Sequence, residues 1–353
     1  MRTTRMECGS ARTGPLAVGC EHCLNGSKMV LFVTGLCDSG CFYCPVSFER
    51  KDRDAIYADE MLVSEDSDVI AEAVSIGATG TGITGGDPLL NMGRTVSFIR
   101  MLKERFGPEH HIHLYTATID VEKTNTLRDA GLDEIRFHPP EHMWGRLGET
   151  PLKEIAEMGG IDVGIEVPAL PGHERGLRSL LDFCDSAGIK FVNLNELEFS
   201  ESNWHMMENM NYNVLDETSS AVEGSASAAA FAMKSRHKTP VHFCSSAFKD
   251  GVQLRRRLIR RAERVAEDYD LVTEDGTILR GLLYADDPGG AMKMIADEYD
   301  VPEELMRITD FGLEIASWVI EELASELPYR CYISERYPTA DGLEVERVPL
   351  NKK

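Results

Sequence analysis

The run CDSGCFYC places Cys37, Cys41 and Cys44 on one short loop at the spacing C-x3-C-x2-C. Three thiolates held this closely can ligate three irons of a cubane cluster and leave the fourth iron open to an external ligand, an opening that four-cysteine electron-transfer sites lack. Structural zinc sites use four protein ligands, and catalytic zinc normally brings histidine or carboxylate into the set. The loop therefore points to a [4Fe-4S] cluster with chemistry at one open corner. A second loop, GGDPLL, presents Gly85, Gly86, Asp87 and Pro88, and its two glycines let backbone approach a ligand without a Cβ in the way.

Polar side chains recur at the ends of later apolar runs. HLYTAT offers Tyr115, Thr116 and Thr118, GIEVPALPG offers Glu166, and NLNELE offers Asn193, Asn195 and Glu196. Strand alternation puts Asn193 and Asn195 on one side and Glu196 on the other.

These residues need a frame that brings them together. Met29 to Val33 is a short apolar run ending at the cysteine loop, and five further strand candidates follow, separated by helical intervals. Regular βα alternation favours parallel strands with covering helices. Function then gathers on the C-terminal side of the strands, where the glycine-rich and polar segments lie. The expected fold is α/β, a partial six-unit (β/α) TIM-like barrel over about residues 28 to 200. The expected domains are a cysteine-containing cap at 1–27, the barrel with a mouth-covering segment at 28–246, and a small α+β extension at 247–353. In the extension, the DG turn of DLVTEDGTILRGLLY predicts a hairpin, Gly312 to Leu327 a periodic helix, and YRCYISERY and LEVERVPL terminal strands.

Six of the nine cysteines fall within the first 44 residues, a concentration better explained by metal ligation than by disulfides. Cys20 and Cys23 form a C-x2-C half-site in GCEHC, Cys8 supplies another thiol, and Cys244 in HFCSS is the most attractive fourth. Two readings stand side by side: a second metal site, zinc or an auxiliary iron-sulfur cluster, stapling the chain across the barrel mouth, or reduced structural thiols. His22 and His242 are alternative ligands. Cys184 and Cys331 read as core residues, the histidines at 110 to 113 as packing at a strand entrance, and His138 as structural or substrate-facing.

The cysteine loop, with Tyr43 before its last cysteine and Pro45 after it, resembles the radical S-adenosylmethionine superfamily. Within it the chain looks closer to the activating enzyme of pyruvate formate-lyase and its uncharacterised archaeal relatives than to the methylthiotransferases. The resemblance implies that the amino and carboxylate groups of S-adenosylmethionine occupy the fourth iron. Reduction then yields methionine and a 5'-deoxyadenosyl radical that abstracts hydrogen from a substrate. It implies an external electron donor such as ferredoxin or flavodoxin. It also implies cofactor contacts from Tyr43, Gly85, Gly86, Asp87, Pro88, Tyr115, Thr116, Glu166, Asn193 and Asn195. Related members carry Gly-Gly-Glu-Pro at the second loop, where Asp87 here is one methylene shorter.

The substrate reads as a small metabolite or a protein side chain. Glycyl-radical activation, carbon methylation and RNA modification are alternatives, as is a non-catalytic iron-sulfur protein. A net charge of -22 and pI near 4.9 argue against broad attraction to nucleic acid or anionic membrane. The basic run RRRLIRRAER at Arg255 to Arg264 is the exception that keeps RNA in view. No membrane span or secretion signal is apparent, so the expected location is cytoplasmic.

Overall fold

The computed structural model describes residues 1–351, which form two compact units. The first comprises Met1–Ala73 and Ala78–Leu254, the second Val74–Gly77 and the chain from Arg255 onward.

The first unit is an α/β fold built on an eleven-stranded mixed sheet with flanking helices, the arrangement of a partial barrel. Its strands are β1 (Thr3–Arg5), β2 (Ala11–Thr13), β3 (Lys28–Phe32), β4 (Tyr57–Ala58), β5 (Met61–Leu62), β6 (Gly80–Thr84), β7 (His111–Thr116), β8 (Glu134–Phe137), β9 (Asp162–Ala169), β10 (Phe191–Glu196) and β11 (Val241–Cys244). Their order is β1-β2-β11-β10-β9-β8-β7-β6-β3-β4-β5. From β3 through β6 to β11 all neighbours are parallel, so the six expected strands are joined by a seventh, β11. Antiparallel pairs flank this run on both sides, β1 with β2 and β4 with β5.

The helices of this unit are α1 (Val18–Leu24), α2 (Asp66–Ser75), α3 (Met92–Phe106), α4 (Val121–Ala130), α5 (Leu152–Glu157), α6 (Glu174–Ala187), α7 (Trp204–Asn209), α8 (Ser225–Met233) and α9 (Ser246–Phe248). Local chemistry bounds them. Asp120 caps α4 by accepting from the Lys123 N–H at 2.8 Å, and left-handed Gly131 ends it. In α6 the residues Leu177, Leu180, Leu181 and Cys184 recur at helical spacing and are buried, which places Cys184 in the core as expected.

Period-two alternation divides the parallel strands into two faces. Leu31, Ile83, Leu114, Ile135, Ile165, Val192 and Val241 are buried on the apolar face. The opposite face is polar, and the register sets Tyr115 beside Arg136 and Asn193 between Glu166 and His242. Arg136, 2% exposed, donates to Glu134 at 2.5 Å, to Glu166 at 2.8 Å and to the Tyr115 hydroxyl at 3.2 Å. Removing this cation would leave buried Glu134 and half-buried Glu166 without their cationic partner. Arg136→Met is expected to lower stability by about 3–5 kcal/mol, read as a drop in the urea midpoint.

Within the N-terminal segment, helix α1 lies at the strand entrances, where the Gly19 N–H donates to Glu134, the first residue of β8, and His22 bonds Thr79, just before β6, whereas Cys8 and Ser10 reach Ser245 just past the C-terminal end of β11. Gly19 makes this seat close: a Cβ there would stand 2.5 Å from Arg136 Nη2 and 2.7 Å from His113 Nδ1. The β1–β2 hairpin continues the sheet on β11.

In the second unit the strands are β12 (Leu271–Val272), β13 (Ile278–Tyr284), β14 (Met306–Thr309), β15 (Gly312–Ile315), β16 (Arg330–Arg336) and β17 (Glu344–Pro349). They form an antiparallel sheet in the order β14-β15-β13-β16-β17, with β12 paired to β13. Its helices are α10 (Arg255–Val265), α11 (Pro288–Tyr299) and α12 (Ser317–Leu323), and a core of Leu283, Ile295, Leu313, Ile320 and buried Cys331 forms within the unit.

The helix expected over Gly312 to Leu327 is instead β15 followed by α12. Gly312 adopts φ 144°, and a Cβ there would sit 2.0 Å from the Leu283 carbonyl oxygen, so the chain begins this segment pressed against β13 as a strand.

The basic run forms α10, and its arginines are engaged within the unit. Arg260 donates to the carbonyls of Ile76 and Gly77, Arg261 is buried against the Pro338 carbonyl, and Arg255 pairs with Asp275. These contacts give Arg255, Arg260 and Arg261 structural partners. Among the described residues no helix is long and apolar enough to cross a membrane.

Candidate active site

A cavity of about 690 Å³ opens in the first unit at the C-terminal ends of the strands. Cys37, Cys41 and Cys44 all line it, with Cys37 exposed and the other two half-buried. Burial pushes the Cys41 thiol up, and neighbouring Cys37 and Cys44 push the same way. Among the described residues no three His, Cys, Asp or Glu side chains meet at single-ion distances.

The cysteine loop is held from several directions. The Tyr43 hydroxyl and His138 Nε2 are 2.9 Å apart, and His138 Nδ1 lies 2.7 Å from the Glu166 carbonyl oxygen. With that carbonyl accepting from Nδ1, Nε2 accepts from Tyr43. Asn203 donates to the Tyr43 carbonyl at 3.1 Å and Ser202 to the Cys44 carbonyl at 3.2 Å, so the segment leading into α7 supports the loop from outside. At its start, Arg94 and Thr34 both donate to Asp54, and Arg94 also reaches the Val33 carbonyl. Tyr43→Phe removes the phenolic donor from His138 and is expected to cost about 1 kcal/mol. The same variant should lose iron faster to a chelator than the parent.

Gly85 and Gly86 also line the cavity, but their special role is contact with the first loop. The Gly86 N–H donates to the Thr34 carbonyl at 2.7 Å and the Asp87 N–H to the Leu36 carbonyl at 2.8 Å. A Cβ on Gly86 would stand 2.1 Å from the Leu36 oxygen, and one on Gly85 2.5 Å from the Thr34 oxygen. Neither has positive φ, so glycine is required by close approach of the two loops.

The Asp87 carboxylate turns into the protein. It is 3% exposed, caps the Leu89 N–H at 3.0 Å, and accepts from Thr116 and Thr118 at 2.7 and 2.8 Å. The residue therefore locks the second loop to the end of β7, while Pro88 begins the short helical turn behind it. The Thr116 and Thr118 hydroxyls donate inward to Asp87.

Tyr115, Glu166 and Asn195 face the cavity. Glu166 accepts from Arg136 and Asn193 at one oxygen and from Asn195 at the other, at 2.8 to 2.9 Å. Burial alone would raise its pKa, but Arg136, Asn193 and Asn195 overcome burial and hold it down to about 2. A depressed carboxyl contributes stability above the ordinary carboxyl range and loses it as pH falls through the folded value. Unfolding of the parent should therefore steepen between about pH 4.5 and pH 2, and Glu166→Gln should flatten that window.

Lys28, at the start of β3, and Lys249, paired with Glu198, complete the polar lining. The motifs point to neither Lys28 nor Arg136, nor to the support from Asn203. A period-two pattern carries the first two: Lys28 precedes an inward alternation, and Glu134, Arg136 and His138 alternate along one strand.

A family profile described as "Radical SAM superfamily" matches residues 31–139. A Methanocaldococcus jannaschii protein named "Putative glycyl-radical enzyme activating enzyme" is 39% identical over 354 aligned positions, covering 96% of this chain and 94% of its own. The chain belongs to the radical S-adenosylmethionine superfamily. It is therefore an enzyme of that group, with the group's shared chemistry of binding S-adenosylmethionine and generating a radical from it.

A profile described as "Domain of unknown function (DUF8061)" matches residues 276–350. Two solved structures of Streptococcus suis SuiB align more distantly. SuiB bound to S-adenosylmethionine is 11% identical with a TM-score of 0.40, over 62% of this chain and 50% of that one. SuiB bound to precursor peptide SuiA is 16% identical with a TM-score of 0.38, over 48% and 39%. The chain thus spans half or less of the length of SuiB.

Proposed function

We propose that this chain activates a glycyl-radical protein, with Cys37, Cys41 and Cys44 holding a [4Fe-4S] cluster and S-adenosylmethionine bound in the cavity that the cysteine loop and the Gly85–Gly86 loop both line. The observation that carries the substrate assignment is identity to the Methanocaldococcus jannaschii protein over nearly the whole of both chains. Three thiols on one loop facing a cavity fit the cluster, because they leave one iron without a protein thiolate. When bound, the reduced cluster supplies the electron that cleaves S-adenosylmethionine to methionine and the 5'-deoxyadenosyl radical.

The chain's own residues govern the setting. Tyr43, braced by His138, fixes the cysteine loop. Gly85 and Gly86 bring their backbone close beneath Thr34 and Leu36, and Asp87 ties that loop to β7. Glu166, Asn195 and Tyr115 supply acceptors and donors for the ribose and methionine groups. The electron enters from a ferredoxin or flavodoxin, and the thiol-rich site suits the reducing cytoplasm.

A small polar metabolite is the second reading, favoured by the charged lining of Lys28, Glu166 and Lys249 within the cavity. One experiment separates the two. The reconstituted enzyme, S-adenosylmethionine and reductant are added to anaerobic cell extract, and the mixture is followed by electron paramagnetic resonance. A glycyl doublet growing with 5'-deoxyadenosine supports activation. Equal 5'-deoxyadenosine without a protein radical, dependent on the small-molecule fraction, rejects it for the metabolite reading.

A further inference from the structure

Two cysteines outside the cavity are each met by a side-chain N–H donor. Asn193 donates to Cys20 Sγ at 3.2 Å and Gln253 to Cys244 Sγ at 3.5 Å. A neutral thiol needs no such set of donors, whereas N–H groups aimed at sulfur stabilise a metal-bound thiolate and tune its cluster. Metal binding deprotonates a cysteine thiol, and the bound thiolate is the acceptor that such donors suit.

The elements carrying these residues converge. Leu24, beside Cys23, and Met6, near Cys8, both pack on the cluster of Cys244, Phe248 and Val252. Ser245, next to Cys244, donates to the Cys8 carbonyl at 2.6 Å. Cys8 itself is held at φ 48° and ψ 36°, a left-handed conformation that non-glycine residues rarely adopt. Two residues before Cys244 on β11, His242 is 4% exposed with both ring nitrogens unpartnered, and the neighbouring Asn193 Oδ1 is unpartnered too.

We infer that Cys20, Cys23 and Cys244, with Cys8 as the fourth ligand, form a second iron-sulfur cluster site, where Leu24 of α1 packs beside the end of β11. Cys20 and Cys23 on α1 and Cys244 at the end of β11 come from separate elements that pack together through Leu24. A cubane spans such a set with its own iron and sulfide, whereas a single zinc would draw its sulfurs to about 2.3 Å from one point.

The test uses the full chain carrying Cys37→Ala, Cys41→Ala and Cys44→Ala, reconstituted anaerobically with iron and sulfide and then desalted. It should keep about half of the parent's iron and sulfide, and adding Cys20→Ser and Cys23→Ser should remove that remainder. Gln253→Met, which leaves every ligand in place, should retain the iron but lower the reduction potential of the cluster, because one N–H to sulfur is lost. A folded triple variant with no iron, or one holding zinc without sulfide, would overturn the assignment while leaving the first site untouched.

Discussion

Changing Cys37, Cys41 or Cys44 singly to alanine is expected to abolish 5'-deoxyadenosine formation, down to the level of a protein-free control. Each thiol faces the same cavity and each is one of three, so no neighbour is available to replace it on the loop. The next cysteines in sequence, Cys20 and Cys23, lie on α1 at the strand entrances. The fold itself should survive, because Cys37 is exposed and the loop is anchored by Tyr43, Asn203 and Ser202. Far-ultraviolet circular dichroism should therefore match the parent while cleavage is lost. Full cleavage in any of the three variants would show that its thiol is not a ligand.

Gly86→Ala should be nearly as damaging by a different route. Its Cβ would enter the space of the Leu36 oxygen at 2.1 Å, and that backbone cannot rotate away as a side chain could. The Gly86 and Asp87 N–H bonds to Thr34 and Leu36 would break as the loops separate. Forced separation should cost ~1–3 kcal/mol or more and shift the loop one residue ahead of Cys37. Affinity for S-adenosylmethionine and iron retention should fall together. Gly93→Ala is the control: it lies in α3, where an added methyl group would meet nothing within 4 Å, and it should be neutral or stabilising by about 1 kcal/mol. Isothermal titration with S-adenosylmethionine and thermal melting of both variants read this contrast.

Much of this site was legible because parallel βα units leave function in the loops after each strand. The spacing of the cysteine loop, the glycine pair and the shared strand face of Asn193 and Asn195 are all local pattern. What escaped was the partner of each polar group. Asp87 looked available to a ligand until Thr116 and Thr118, 29 and 31 residues later, proved to occupy it. Arg136 looked like one charge in a short strand, although its bonds to Glu134, Tyr115 and Glu166 organise three strands. The helical pattern after Gly312 misled because Leu313, Ala316, Ile320, Leu323 and Leu327 recur at helical spacing, while Leu313 and Ile315 also fit a strand. Only the close approach of Gly312 to β13 decides between them. Register and long-range pairing carry this information, and a single sequence does not print them.

The most direct measurement is mass-spectrometric detection of 5'-deoxyadenosine and methionine from the reconstituted parent chain, given S-adenosylmethionine and a strong reductant, with and without anaerobic cell extract. Formation of both products in equal amounts, in one or both mixtures, is the predicted result. A fully loaded, folded enzyme that forms neither product even with extract would contradict reductive cleavage at the Cys37, Cys41 and Cys44 loop.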